Sequence, residues 1–184
     1  MSHNEQSNPW STLSSRMIYE NKWIKVREDQ VINPSGGRGI YGVVMFQNRA
    51  VGVVPIDDED HTWLVGQYRY THQRYEWEIP EGGCPEGEAP EECAARELGE
   101  ETGLVASSYE LIGELQLSNS TTDEVAFLYV ARGLSQADSA PEETEKLSVK
   151  RLPVDEAIQM AINGEIRDAM SVVALLKLAA ARRA

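Results

Sequence analysis

The spacing of apolar positions changes along the chain, and each change marks an element. After a polar start, "SRMIYE" and "KWIKVREDQVI" mix β-branched and aromatic residues with alternating polar ones. That is the pattern of half-buried strands, and the turn-rich "NPSGGRG" closes it. "IYGVVMF", "AVGVVPI", "TWLVGQY" and "YEWEI" continue as strands, with "DDED" as a turn between two of them. Pro90 then opens a helix predicted to reach about Thr102, and Gly103 suits a left-handed ending. "SYELIGELQL" and "EVAFLYVAR" return to strand spacing on either side of the polar loop "SNSTTD". "VDEAIQMAI" and "AMSVVALLKLAAARR" read as helices, the second starting behind Asp168 as its N-cap. This order predicts an α/β fold with a mixed sheet flanked by helices.

Composition narrows the class. The chain has 184 residues, 41% of them hydrophobic and 26% charged, which suits one soluble domain with a small extension. Residues 1–12 read as a loose N-terminus, 13–48 as an N-terminal β-sheet extension and 49–184 as the main domain. The most apolar run, "SVVALLKLAAA", is interrupted by Lys177 and falls short of the ~18–20 residues of a membrane span. "MSHNEQSNPWS" lacks a basic start and an apolar core, so a cytoplasmic protein without membrane contact is expected. Cys84 and Cys93 are the only cysteines and read as reduced thiols, while His3, His61 and His72 show no metal-ligand spacing. A net charge of -13 argues against a nucleic-acid partner, because duplex binding relies on Lys and Arg neutralising phosphates. A small phosphorylated ligand remains compatible if a divalent cation and local arginines offset the repulsion.

The chemistry concentrates in "GGCPEGEAPEECAARELGEETGL", from Gly82 to Leu104, with Gly82 and Gly83 read as a tight turn. At about 100° per residue, Glu100 lies roughly 60° to one side of Glu97 and Glu101 roughly 40° to the other, so the three share a face. Ala94, Ala95 and Leu98 form the neighbouring stripe, suited to packing on a sheet. Like charges at this spacing weaken a helix by about 0.2–0.5 kcal/mol per pair. Either the face is simply solvated or a cation compensates it.

The segment resembles the box of the Nudix hydrolases, G-x5-E-x7-R-E-U-x-E-E-x-G-U with U aliphatic. The matching residues are Gly82, Glu88, Arg96, Glu97, Leu98, Glu100, Glu101, Gly103 and Leu104. "GQYR", "EIPEGG", "PEETEK" and "GEIRDAMSVVALL" extend the similarity, from about residue 15 to the C-terminus, to the ADP-ribose and nucleoside-diphosphate-sugar pyrophosphatase branch. The resemblance implies an α/β/α sandwich and a homodimer in which the sheet of residues 13–48 takes part. It implies Mg²⁺, with Mn²⁺ as the alternative, held by Glu97, Glu101 and the backbone carbonyl of Glu81, with Glu100 a ligand or an outer partner. Arg96 would orient the acids with Glu88 in support, and together with Glu100 it belongs to the implied catalytic set. Glu143 would be the general base on a loop, with Glu145 the alternative. Arg69 would contact the substrate diphosphate, with a surface ion pair as its other reading, and Glu78 would orient Arg69 or help recognise the ligand, while Tyr75 and Trp77 are either pocket or core residues.

The implied reaction is hydrolysis of a nucleoside diphosphate sugar to a nucleoside monophosphate and a sugar phosphate. Asn119 stands where the ADP-ribose subgroup has proline, so the wider substrate class is expected rather than ADP-ribose alone. A pyrophosphatase of damaged nucleoside triphosphates, or a non-catalytic nucleotide sensor, are the competing readings.

Overall fold

Asn and Gly residues fix the turns of the first strands. A computed structural model describes residues 7–136 and 147–183, which fall into two units. The first comprises Met1–Asn48 and Gln116–Glu124. Its strands β1 (Ser11–Glu20), β2 (Ile24–Ile32) and β3 (Arg38–Phe46) form an antiparallel sheet in the order β1-β2-β3. Asn21 Oδ1 accepts from the Trp23 and Ile24 amides, both at 2.8 Å, and so shapes the first turn. Asn33 Oδ1 does the same for Ser35 and Gly37, beside Gly36 in the left-handed region at φ 84. Leu13, Met17, Ile18, Tyr19, Trp23 and Ile40 of this unit are exposed.

The second unit comprises Arg49–Leu115 and Val125–Ala184. Its strands include β4 (Arg49–Pro55), β5 (His61–Arg69), β6 (Arg74–Glu78) and β7 (Glu81–Cys84). Helix α1 (Pro90–Thr102) follows, then β8 (Leu104–Gln116), β9 (Val125–Gln136) and β10 (Ser148–Pro153), and finally helices α2 (Val154–Ile162) and α3 (Ala169–Ala181). One sheet runs β7-β4-β9-β8, with β4 parallel to β9 and antiparallel to β7. A second, antiparallel sheet runs β10-β5-β6.

Alternation in β4 builds the layers. Val51 and Val53 belong to one core with Cys93, Ala94 and Leu98 of α1, all fully buried. Gly52 faces the other way, where an added Cβ would lie 2.9 Å from Ile79 and 3.0 Å from Met170. A glycine there lets α3 approach the strand. This is the expected α/β/α sandwich. Helix α1 ends as its sequence predicts, with Gly103 at φ 70 and its N–H donating to Gly99 O at 2.9 Å. Asp168 caps α3 by accepting from the Ser171 amide at 2.7 Å. Among the described residues no helix is long and apolar enough to cross a membrane.

Two strands differ from the sequence expectation. Gly82 and Gly83 lie within β7 rather than in a tight turn, because pairing with β4 (Val51↔Gly82, Ala50↔Gly83) overrides their weak strand propensity. "SVKRLP" had no strand signal of its own and becomes β10 through its register with β5, from Ser148↔Gly66 to Pro153↔His61.

Candidate active site

Helix α1 and the start of β7 bring the box residues together. Leu98 and Ala94 anchor α1 in the core, so the adjacent face turns Glu97 and Glu101 inward. Both glutamates are buried, at 8% and 4% exposure, which rules out a merely solvated acidic face for these two. Glu101 Oε2 accepts from the Glu81 amide at 2.9 Å, tying the helix to the first residue of β7. The next residue shows why glycine is needed: a Cβ on Gly82 would sit 2.2 Å from Glu97 Cδ and Oε1. The Glu97 carboxyl therefore occupies the space a side chain would take.

Arg96 organises the neighbouring acids. Its guanidinium donates to both Glu88 oxygens at 2.9 Å, to Glu97 Oε1 at 2.7 Å, to Glu100 Oε2 at 2.9 Å and to Gly83 O at 2.9 Å. The fork geometry of Arg suits such multiple contacts. The hydrogen bond to Glu88, followed by the charge and hydrogen bond of Glu97 and the hydrogen bond of Glu100, raises the Arg96 pKa against burial, and Glu88 is lowered in turn by its bond to Arg96. Burial pushes the Cys93 thiol up, as expected for a reduced structural thiol, and both cysteines are free and buried.

Arg69, Glu78 and Glu81 form a second group at the ends of β5, β6 and β7. Arg69 contacts Glu78 Oε2 at 2.9 Å and Glu81 Oε1 at 3.0 Å. Burial works against the charge on Arg69, yet the hydrogen bond and charge of Glu78 and the charge of Glu81 leave its pKa raised. Burial likewise raises Glu78, with Arg69 opposing it. Glu81 is raised well above the usual carboxylate value by burial, then by the charges of Asp168 and Glu78. From the sequence Asp168 is expected only as the cap of α3. The structure places one oxygen each of Glu78, Glu81 and Asp168 within 4.8 Å of one another. Its position inside "GEIRDA" was the available signal.

Of the other sequence-selected residues, Tyr75 and Trp77 pack edge to face, with centroids 5.7 Å apart. They line an open cavity of about 630 Å³ with Lys150, Met160 and Arg167 among its other walls. Glu143 and Glu145 lie outside the described residues.

The chain belongs to the NUDIX family of hydrolases, since the NUDIX domain pattern matches residues 46–172. Residues 10–44 match the nucleoside diphosphate sugar hydrolase N-terminal domain. The chain is 33% identical over 170 residues to the ADP-ribose pyrophosphatase of Mycobacterium tuberculosis, covering 91% of this chain and 82% of that protein. It is also 33% identical over 166 residues to the methanol dehydrogenase activator of Bacillus methanolicus, covering 89% of each. A crystal structure of an ADP compounds hydrolase shares its fold, with a TM-score of 0.87 over 97% of both chains at 24% identity.

The residues fit a hard divalent cation. Glu97 and Glu101 are two buried carboxylates on one helix face, and the Glu97 carboxyl is received by a strand position that only glycine leaves open.

Proposed function

We infer that the protein hydrolyses the diphosphate bond of nucleoside diphosphate sugars, ADP-ribose among them, to a nucleoside monophosphate and a sugar phosphate. The observation that carries this reading is the pair of buried carboxylates, Glu97 and Glu101, seated against Glu81 and Gly82 in a complete box. The paired domain matches and the ADP-ribose pyrophosphatase relative support the substrate class. Glu97, Glu101 and the Glu81 carbonyl would hold Mg²⁺, with Glu100 an outer partner through Arg96. The cation supplies polarisation of phosphoryl oxygens and a lowered pKa for bound water.

The chain's own groups do the rest. Arg69 offers a planar cationic fork to the diphosphate, and Glu78, nearly fully buried, holds that fork from behind. Arg96 keeps Glu97 and Glu100 apart from each other's charge and fixes the Glu97 oxygen that it contacts. Glu143, or Glu145 in its place, would accept a proton from the attacking water as general base. The exposed apolar residues of the β1-β2-β3 sheet support a homodimer, which light scattering of the purified chain would test.

The deciding experiment incubates the protein and Mg²⁺ with ADP-ribose, ADP-glucose, GDP-mannose, UDP-glucose and a nucleoside triphosphate. A nucleoside monophosphate and a sugar phosphate are expected, and Glu101→Gln should lower turnover by orders of magnitude while leaving the far-UV spectrum intact. Tight binding of one compound without turnover of any would replace the enzyme with a sensor. Preferential cleavage of the triphosphate would move the substrate class.

A further inference from the structure

We propose that Glu78, Glu81 and Asp168 form a second divalent-cation site, adjacent to the carboxylates of α1 and served by none of them. The three side chains come from separate elements: the end of β6, the start of β7 and the cap of α3. One oxygen from each lies within 4.8 Å of the others. Octahedral oxygen ligands at about 2.1 Å from Mg²⁺ stand roughly 3 Å apart when adjacent and roughly 4.2 Å when opposite, so little closure is needed.

Two further observations point to a ligand. Glu78 Oε1 and Glu81 Oε2 are buried without a hydrogen bond of ordinary geometry among the described residues, with Gln67 and Asp168 as their polar neighbours. The Glu78 side chain is only 2% exposed. Buried carboxylate oxygens are costly unless something positive or a donor meets them. Arg69 satisfies Glu78 Oε2 and Glu81 Oε1, leaving the opposite oxygen of each carboxylate open.

The site is also held in place beforehand. Ser171, fully buried in the first turn of α3, accepts from the Ile79 amide at 3.0 Å, which fastens the cap of α3 to the link between β6 and β7. Asp168 accepts from the Ser171 amide at 2.7 Å with one oxygen only, Oδ2. An all-oxygen set selects Mg²⁺, Mn²⁺ or Ca²⁺ over zinc. Glu81 joins the two sites. Its amide meets Glu101 at 2.9 Å while its side chain meets Arg69 at 3.0 Å.

Mn²⁺ is the probe. Equilibrium dialysis of the full chain at neutral to mildly alkaline pH should count one fewer bound Mn²⁺ in Asp168→Asn than in the wild type. Asn keeps an oxygen for the Ser171 cap, so metal-free melting temperatures should match. If that variant fails to fold, Glu81→Gln replaces it with the same expected loss of one ion. Crystals soaked in Mn²⁺ should show an anomalous peak between Glu78, Glu81 and Asp168. Equal Mn²⁺ counts in wild type and variant overturn the proposal. So does a peak at Glu97 and Glu101 with none at Asp168, where Glu81 and Asp168 instead share a proton. Failure to cleave nucleoside diphosphate sugars would leave these counts untouched, so the two readings fail separately.

Discussion

Gly82→Ala removes nothing and adds one methyl group, so it tests the geometry of the site directly. The new Cβ would lie 2.2 Å from Glu97 Cδ and Oε1 and 2.4 Å from Oε2. Ordinary contact is about 3.5 Å, so the Glu97 carboxyl must retreat by roughly 1–1.3 Å. A cation–oxygen bond is about 2.1 Å long, and a displacement of that size would break one made by Glu97. Misplacement by about 1 Å costs on the order of 10²-fold in rate, or about 2.7 kcal/mol of transition-state stabilisation. The retreat also disturbs the 2.7 Å contact with Arg96. Stability should fall by at most about 1–3 kcal/mol, since the crowded group is the end of a side chain. The assay is kcat/KM on ADP-ribose across a Mg²⁺ series, alongside thermal unfolding. We expect about a 100-fold loss, with a higher Mg²⁺ requirement, in a folded protein. Activity within about threefold of wild type at limiting Mg²⁺ would refute the account of Glu97.

Two further substitutions separate the box's chemistry from its scaffolding. Gly99→Ala, in the same helix, meets only Leu104 O at 3.7 Å, an ordinary contact. It should raise stability by about 0.5–1 kcal/mol through helix propensity, visible as a higher melting temperature, with turnover retained. Glu88→Gln removes the negative charge and one of the two oxygens that accept from Arg96, and should cost about 1 kcal/mol at neutral pH. Because Arg96 lowers the folded pKa of Glu88 below its ordinary 4.5, that stabilisation is present above the unfolded pKa and lost as pH falls through the folded one. Denaturant melts of wild type and Glu88→Gln should therefore converge on acidification. A constant gap down to acid pH would assign the effect to packing.

What the chain reveals before folding depends on distance along it. Helix α1 is legible because its start, period and stop all lie within Pro90–Gly103, and Pro at N1 and Gly at the left-handed cap are local signals. The Arg96 cluster is legible for the same reason, since Glu88, Glu97 and Glu100 lie within eight residues of it. The alternative of a simply solvated acidic face fails for Glu97 and Glu101, because both are buried. Burial of a carboxylate depends on neighbours from other elements, and no helical period encodes that. Strand β10 was hidden likewise, because its partner β5 is remote in sequence and its own residues alternate weakly.

Gly82 shows how a local signal can be right in residue and wrong in reason. Two adjacent glycines read as a turn, yet the strand continues through them and it is Glu97 that needs the vacant Cβ. The same contact bears on the cost of gathering acids on one helix. Repulsion between glutamates at three- and four-residue spacing is only about 0.2–0.5 kcal/mol per pair on an exposed helix. Desolvating Glu97 and Glu101 is the larger cost, and the Glu81 amide and the Arg96 guanidinium are placed to offset part of it in the absence of a cation. A site arranged in this way keeps its shape between turnovers. A cation held there would find oxygens already oriented, and the helix would not have to fold around it.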